Sequence, residues 1–268
     1  MLTSIRNLIL ASAAAVPIAE GAFVPIDTFE SYTVGNAVAG ANGWTAGAGG
    51  ADFKVVVDPT DSENQMLKRN AGGAHGVLLN DLATNAIAPG STGTLYFRFL
   101  KPSTVPESGA ANDFMAGLLN SGSTAADNKD LGYAGGVTAP NNRTTLQPYP
   151  NGNGAASFSA DTGDTWYSLW VVYNNALNTG SDTFSVYVQG GTAYSSVTAI
   201  AENVVSSNQI ADDLDTLKLA VWETRNNGFD DFYIDKSGAN LSIATIPEPS
   251  SALLVGLAAA GLVVRRRR

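Results

Sequence analysis

Three kinds of side chain in this chain have the types and spacing to do chemistry: one histidine, a scatter of carboxylates, and aromatic rings set near asparagines. His75, in Gly72-Gly73-Ala74-His75-Gly76, is the sole imidazole, and there is no cysteine. A zinc site is thereby left without its usual ligands. A nucleophilic triad would need a serine and an aspartate folded onto His75, and no Gly-x-Ser-x-Gly elbow exists to offer the serine. The carboxylates suggest two chemistries. Glu223 with Asp230 or Asp231 could pair for acid–base work across an Asn-Gly turn, although acids flanking such turns are ordinarily solvated. Glu30, Asp230, Asp231 and Asp235 are candidate calcium ligands, because hard cations take clustered carboxylate and carbonyl oxygens. Asp58, Asp61 and Glu63 form a second such set. Against both stands the plainer role of acids that keep a surface soluble.

Sugar recognition combines an aromatic platform with amide or carboxylate hydrogen-bonding groups. Trp44, Tyr133, Tyr149 and Trp222 fall in loops or on outward strand phases, with Asn141, Asn142, Asn226 and Asn227 close in sequence, and are the candidate glycan-binding residues. Each taken singly is better suited to core or rim packing. Trp166 and Trp170, on one phase of the most apolar segment, are assigned to the core.

The elements that must position these groups are strands. Residues 94–100 alternate, with Leu95, Phe97 and Phe99 on one face and Tyr96 and Arg98 on the other, the period of a half-buried strand. Residues 53–57 and 66–69 make strands about an Asp58-Pro59 turn, and 76–79 is a short apolar strand. Residues 114–120 and 131–137 read as strands, and 138–154 as a long connection or broad hairpin tip. Residues 166–173 are apolar on both faces except at Ser168, which predicts a central strand, hairpinned to a more exposed one over 183–189. Residues 217–224 and 229–235 are expected to form a last hairpin about Asn226-Asn227-Gly228. Only 207–214 reads as a helical turn or two. Many short strands with Gly/Asn turns imply an all-β fold, an antiparallel β-sandwich.

Charge narrows the partners. Removing Arg6 and Arg265 to Arg268 from the 15 basic residues, and Glu20 and Glu248 from the 24 acidic ones, leaves 10 and 22, a body near −12. Nucleic acid, which requires basic patches, is excluded as a partner. Neutral glycans or cations suit such a surface. The body, 23–245, is long enough for one domain with a substantial core, and no linker or repeat divides it.

Both ends read as addresses. Residues 1–22 combine Arg6, an apolar stretch over 8–16 and small residues toward Ala19 and Ala22, the layout of a secretory signal peptide. At the other end, Pro247-Glu248-Pro249 is followed by an apolar run over 252–264 and by Arg265, Arg266, Arg267 and Arg268. The run is shorter than the about 20 residues of a full bilayer span, and the arginines favour a cytoplasmic end for a single transmembrane sorting helix. Residues 246–268 resemble the PEP-CTERM sorting tail of Gram-negative bacteria that make extracellular polysaccharide. The resemblance implies exosortase as processing partner, an inner-membrane stage, and delivery to the cell surface or outside it. Absence of cysteine means that no disulfide holds the exported fold.

A second resemblance covers residues 27–235. Asp161-Thr162-Gly163-Asp164-Thr165-Trp166-Tyr167 running into an apolar strand, the hairpin to Phe184-Ser185-Val186-Tyr187-Val188, and an opening Phe29-Glu30 strand beside a closing Phe229-Asp230-Asp231-Phe232-Tyr233-Ile234-Asp235 strand are similar to concanavalin A-like jelly rolls. Retaining glycosidases of that fold carry a Glu-x-Asp-x-x-Glu strand, which is absent here. Some of its polysaccharide lyases use a His and a Tyr, which keeps His75 open as an enzyme alternative. The resulting expectation is an exported, surface or biofilm-matrix protein that binds or bridges extracellular polysaccharide without catalysis. Calcium is a candidate structural ion. The alternatives are a polysaccharide lyase or glycoside hydrolase, and a passive coat.

Overall fold

The computed structural model describes residues 23–70, 75–101, 112–120, 133–140, 145–149, 156–157, 164–178, 180–206, 211–222 and 227–242. The expected signal peptide and sorting helix lie outside these residues. Among them the regular structure is β except for two short 3₁₀ turns, Gly50–Asp52 and Ala83–Asn85. The strands are β1 (Val24–Asp27), β2 (Trp44–Ala46), β3 (Phe53–Val57), β4 (Gln65–Arg69), β5 (Gly76–Asp81), β6 (Ser91–Lys101), β7 (Asn112–Asn120), β8 (Tyr133–Pro140), β9 (Thr145–Tyr149), β10 (Ala156–Ser157), β11 (Thr165–Asn175), β12 (Thr183–Gly190), β13 (Tyr194–Val205), β14 (Leu214–Val221) and β15 (Gly228–Asp235).

They make two antiparallel sheets. The eight-stranded sheet runs β13-β12-β11-β6-β15-β4-β3, with β1 paired to the far half of β15; the seven-stranded sheet runs β10-β9-β8-β7-β14-β5-β2. The core lies between them. Leu95, Phe97 and Phe99 of β6 and Tyr167, Leu169, Val171 and Tyr173 of β11 enter it from the first sheet, and Leu78, Phe114, Leu118, Leu217 and Leu219 from the second. Alternation therefore assigns β6 as expected, and β11 is central, covered on both faces. Its even phase faces away from the core, where Trp170 packs with Phe23, Tyr96 and Tyr233.

A hydroxyl ties the sheets together. The β7–β8 ladder shifts register between Leu118 and Leu119, which leaves a backbone donor and acceptor to be satisfied there. Tyr173 of the opposite sheet supplies both partners, accepting from Leu118 N at 3.0 Å and donating to Gly135 O at 2.8 Å. Burial holds its phenol well above the ordinary range. The position must be glycine because a Cβ at Gly135 would lie 2.5 Å from the Phe184 ring.

Four expectations are corrected. β14 and β15 do not form a hairpin: β14 pairs with β5 and β7 in one sheet, whereas β15 pairs with β1, β4 and β6 in the other. β14 and β15 thus stand in opposite sheets of the sandwich rather than side by side in one. Residues 138–154 are not all connection, since 138–140 extend β8 and 145–149 form β9. The expected helical turn over 207–214 is not helical where described: 211–213 lack helical hydrogen bonding and Leu214 opens β14. Finally β13, twelve residues long, is absent from the sequence reading. The closure of the two ends does follow it, with Val24–Asp27 rather than Phe29–Glu30 as the opening strand against β15.

Candidate functional site

The outer face of the eight-stranded sheet carries a closed circuit of polar contacts drawn from four places in the chain. Trp166, at the start of β11, donates its indole N–H to Asp58 Oδ2 at 2.9 Å and to Thr60 Oγ1 at 3.1 Å. Asp58 and Thr60 stand in the turn between β3 and β4, closed by the Asp58 N to Asn64 O bond of 3.0 Å. Asn64 Nδ2 donates to Asp58 Oδ2 at 3.2 Å and to Asp230 Oδ2 at 3.0 Å. Asp231 pairs with Arg98 Nη1 at 3.1 Å, and the Arg98 guanidinium lies 4.5 Å from the centre of the Trp166 ring.

A β-bulge makes this possible. Asp230 stands opposite Arg98 and Tyr233 opposite Tyr96, so two residues of β15, Asp231 and Phe232, face the single Phe97 of β6. Asp231 adopts a φ of 54°, a conformation that strains a non-glycine residue by about 1 kcal/mol or more. The extra residue puts two consecutive carboxyl groups beside Arg98 while Phe229 and Phe232 both keep their places in the core.

The electrostatics follow from this crowding. Burial, then the neighbouring Asp231 charge, push Asp230 up to about 8, against the donors Asn64 and Asp231 N and the attraction of Arg98. The crowding thus biases Asp230 toward its protonated form. Burial works against the charge of Asp58 too, but Thr60 N and Oγ1, Asn64 and Trp166 all donate to its carboxylate and bring it below its ordinary value. For Arg98 the burial penalty is outweighed by the charge and hydrogen bond of Asp231, which keep the guanidinium charged. Glu30, whose Oε1 accepts from Gln65 N at 2.9 Å, is raised by burial and by the charges of Asp231 and Asp61.

The residues expected to bind sugar take other roles. Trp44 is not an outward platform: it is 1% exposed, stacked on Phe29, and donates Nε1 to Asp27 Oδ2 at 2.9 Å. The same carboxylate accepts from Tyr32 Oη at 2.7 Å, while its Oδ1 accepts from Phe29 N at 2.9 Å and so supports the positive φ of Phe29. Tyr133, Tyr149 and Trp222 do come together, on the outer face of the seven-stranded sheet, with Tyr133 and Tyr149 edge to face and the Lys218 ammonium 4.9 Å from the Tyr133 ring. Yet Tyr133 and Trp222 are buried, and only Tyr149 is half-buried. Asn227 is buried as well. Asn141, Asn142, Asn226 and Glu223 lie outside the described residues.

Of the proposed calcium ligands, Glu30, Asp230 and Asp231 are near enough to feel one another's charge, whereas Asp235 is engaged elsewhere. Asp235 accepts from Ser237 N and Oγ and from Asn240 Nδ2 in its own turn. Among the described residues no three His, Cys, Asp or Glu are grouped to hold a metal ion, and Asp58 of the second set is taken up by the circuit above. His75 lies just ahead of β5, its carbonyl packed under Gly49.

Trp166 corrects the assignment of that residue to the core: it is half-buried on the outer face. Sequence reasoning named Asp58, Asp230 and Asp231 but missed Arg98, Asn64 and Trp166 as their partners. The signal for Arg98 was present, since the alternation placed it on the non-core face of a central strand, where a charged residue needs a reason.

The chain is thus an antiparallel β-sandwich with a polar, aromatic-bearing outer face. Residues 245–268 match the PEP-CTERM protein-sorting motif, so a C-terminal sorting signal marks this as a secreted protein, and the motif implies processing by an exosortase. No curated protein sequence matches the chain. Solved structures similar to it include peanut lectin (14% identity, 79% of this chain and 97% of the lectin covered, TM-score 0.46). The catalytic domain of a glycoside hydrolase family 131 protein from Coprinopsis cinerea is also similar (14%, 83% and 98%, TM-score 0.48). So is the marine PL-14 alginate lyase from Aplysia kurodai (10%, 69% and 87%, TM-score 0.46). Likeness at this level says nothing of chemistry, and the description of the fold rests on the strand order itself.

Proposed function

We propose that the protein acts at the cell surface or in the extracellular matrix by binding or bridging polysaccharide on the outer face of its eight-stranded sheet, without a catalytic step. The observation that carries this reading is Trp166, a half-buried indole tied to Asp58, with the guanidinium that Asp231 orients lying over one face of its ring. A flat apolar ring suits the C–H face of a sugar, and planar charged groups fixed beside it suit vicinal hydroxyls. Because these groups are already held by one another, little ordering remains to be done on binding. The acidic body favours a neutral glycan over a polyanion.

One observation favours a second reading. Asp230, which burial and its neighbour's charge bias toward the protonated form, stands beside Asp231, which is paired with Arg98, so one bulge sets two unlike carboxyl groups side by side, as glycoside hydrolysis requires. Against it, Asp230 is 1% exposed, out of reach of a polymer.

Thermal unfolding of the chain with a panel of polysaccharides, with polymer length followed in parallel, separates the readings. A ligand of the folded state raises the midpoint. The expected result is a shift by a neutral glycan of unchanged length, lost in Trp166→Ala. Shortening of the polymer that stops in Asp230→Asn would establish the hydrolase, and no shift with any polymer would leave a passive coat.

A further inference from the structure

Five aspartates are buried among the described residues: Asp27, Asp58, Asp182, Asp230 and Asp235. In Asp27, Asp58, Asp230 and Asp235 both carboxyl oxygens accept a hydrogen bond. Asp182 breaks the pattern. Its Oδ1 accepts from Ala176 N at 2.7 Å, but its Oδ2 is buried and meets no donor, in a residue only 4% exposed. Among the described residues no Lys or Arg pairs with it either. A carboxylate taken out of water this way is costly, and proteins keep one by pairing it or by placing it on a metal ion.

A second unmet oxygen stands beside the first. The β11–β12 ladder ends with Asn174 opposite Thr183, so Asn175 and Asp182 are the next residues outward on the two chains, on one face of the sheet and about 5 Å apart at Cβ. Asn175 continues the phase of Val171 and Tyr173, which places the two side chains at the rim of the core. Its Nδ2 donates to Ile87 O at 2.7 Å and to Asp212 O at 2.9 Å. Two carbonyls can be satisfied only by the amide NH₂, so the orientation of the group is fixed and Oδ1 is the atom that remains. In a residue 1% exposed, that oxygen is also buried and meets no donor. The backbone around the pair is held in place, with Gly90 N donating to Asn175 O at 2.6 Å and Ser206 N to Asp182 O at 2.9 Å.

We infer that Asn175 Oδ1 and Asp182 Oδ2 are ligands of a calcium ion that closes the β11–β12 hairpin at its turn. Both unmet atoms are acceptors, so only a donor or a cation can satisfy them. Water could donate to each, but it would leave the carboxylate charge uncompensated. A carboxylate with a neutral amide oxygen is calcium chemistry: the ion takes six to eight oxygens and accepts amide and backbone carbonyls among them, whereas magnesium keeps most of its waters. Asp212, whose carbonyl Asn175 holds, and Asp213 add negative charge close by. One inward carboxylate is enough for such a shell, so no cluster of three acids marks the place. These ligands are none of the acids that the sequence singled out for calcium. In a chain without cysteine, an ion here would hold two strands together where an exported protein commonly uses a disulfide.

The test is thermal unfolding of the full chain in detergent with calcium, with magnesium at equal ionic strength and with a chelator, for the unmutated protein and for Asp182→Asn. The substitution keeps an oxygen for Ala176 N and removes the charge. At calcium about a hundredfold above its Kd, the unmutated midpoint should rise by about 5 °C or more. Magnesium should give no comparable rise, and Asp182→Asn should lose the response to calcium. In chelator the order reverses: the variant, relieved of an uncompensated buried charge, should unfold no lower than the unmutated protein. A variant that unfolds well below it in chelator overturns the inference and makes Asp182 structural without an ion. A calcium rise that survives in Asp182→Asn also overturns it and moves the ion elsewhere, to Glu30, Asp230 and Asp231 for instance. So do an equal rise with magnesium, which marks general screening, and no response to calcium, which leaves the two oxygens to water.

Discussion

Two tryptophans make the same bond and serve different ends. Trp44 and Trp166 each donate an indole N–H to an aspartate Oδ2 at 2.9 Å. Around Trp44 the other neighbours are Phe29 and Phe232, and the ring is sealed at 1% exposure. Around Trp166 the neighbours are Arg98, Thr60 and, through Asp58, Asn64, and the ring remains reachable. The first carboxylate is an internal knot that fixes how the chain enters the sandwich. The second orients a platform. What separates an architectural indole from a binding one is the company of its ring rather than the bond of its nitrogen.

The largest effect expected from breaking this comparison is on the buried side. Asp27→Ala leaves the Trp44, Tyr32 and Phe29 donors without their acceptor, each at about 1–3 kcal/mol when buried. Loss of roughly 3 kcal/mol or more is expected, read as a fall in the denaturant midpoint with unchanged slope, and a loss under about 1 kcal/mol would reduce the knot to an incidental contact. Next comes Asp58→Ala, which leaves the partly exposed Trp166 indole with Thr60 Oγ1 as its remaining acceptor. It should lower stability by about 1 kcal/mol but weaken glycan binding nearly as much as Trp166→Ala, measured by titration; intact binding would show that Trp166 needs no orientation by Asp58.

A third effect is one of pH. Asp230 is raised in the folded protein to about 8 from an ordinary value of 3.8, so the folded state holds a proton that the unfolded chain releases. Its contribution is fully present below about pH 4 and is lost as pH rises toward 8, because the unfolded state binds fewer protons across that window. Asp230→Asn removes the titration. Its stability relative to the unmutated protein should therefore climb between pH 5 and 8, and parallel profiles would show that Asp230 ionises normally.

How much of this was legible depended on whether a face had contrast. Leu95, Phe97 and Phe99 alternate with Tyr96 and Arg98, and that contrast correctly placed β6. The segment around Trp166 and Trp170 is apolar on both faces, so period alone could not say which phase entered the core, and Trp166 was assigned inward. The Asn226-Asn227-Gly228 signal predicted a hairpin, but a turn residue reports φ and not which sheet receives the next strand, and Gly228 opens β15 in the opposite sheet. β13 was invisible because Ser, Thr, Ala and Val follow no period when neither face is well covered. Of the site, the acids could be read as a group; their partners could not, since Asn64 and Arg98 reach them through a bulge that no local pattern announces.

The pairing of β1 with β15 has a consequence for the order of folding. A chain that emerges from its amino end presents Val24–Asp27 first, yet the strand that receives it, Gly228–Asp235, emerges near the end of the body. The first strand must wait for almost the last before its hydrogen bonds can form. Phe29, Trp44 and Phe232 likewise meet only then. Such long-range closure makes for slow folding, so the sandwich should lock only when nearly all of the body has emerged from synthesis.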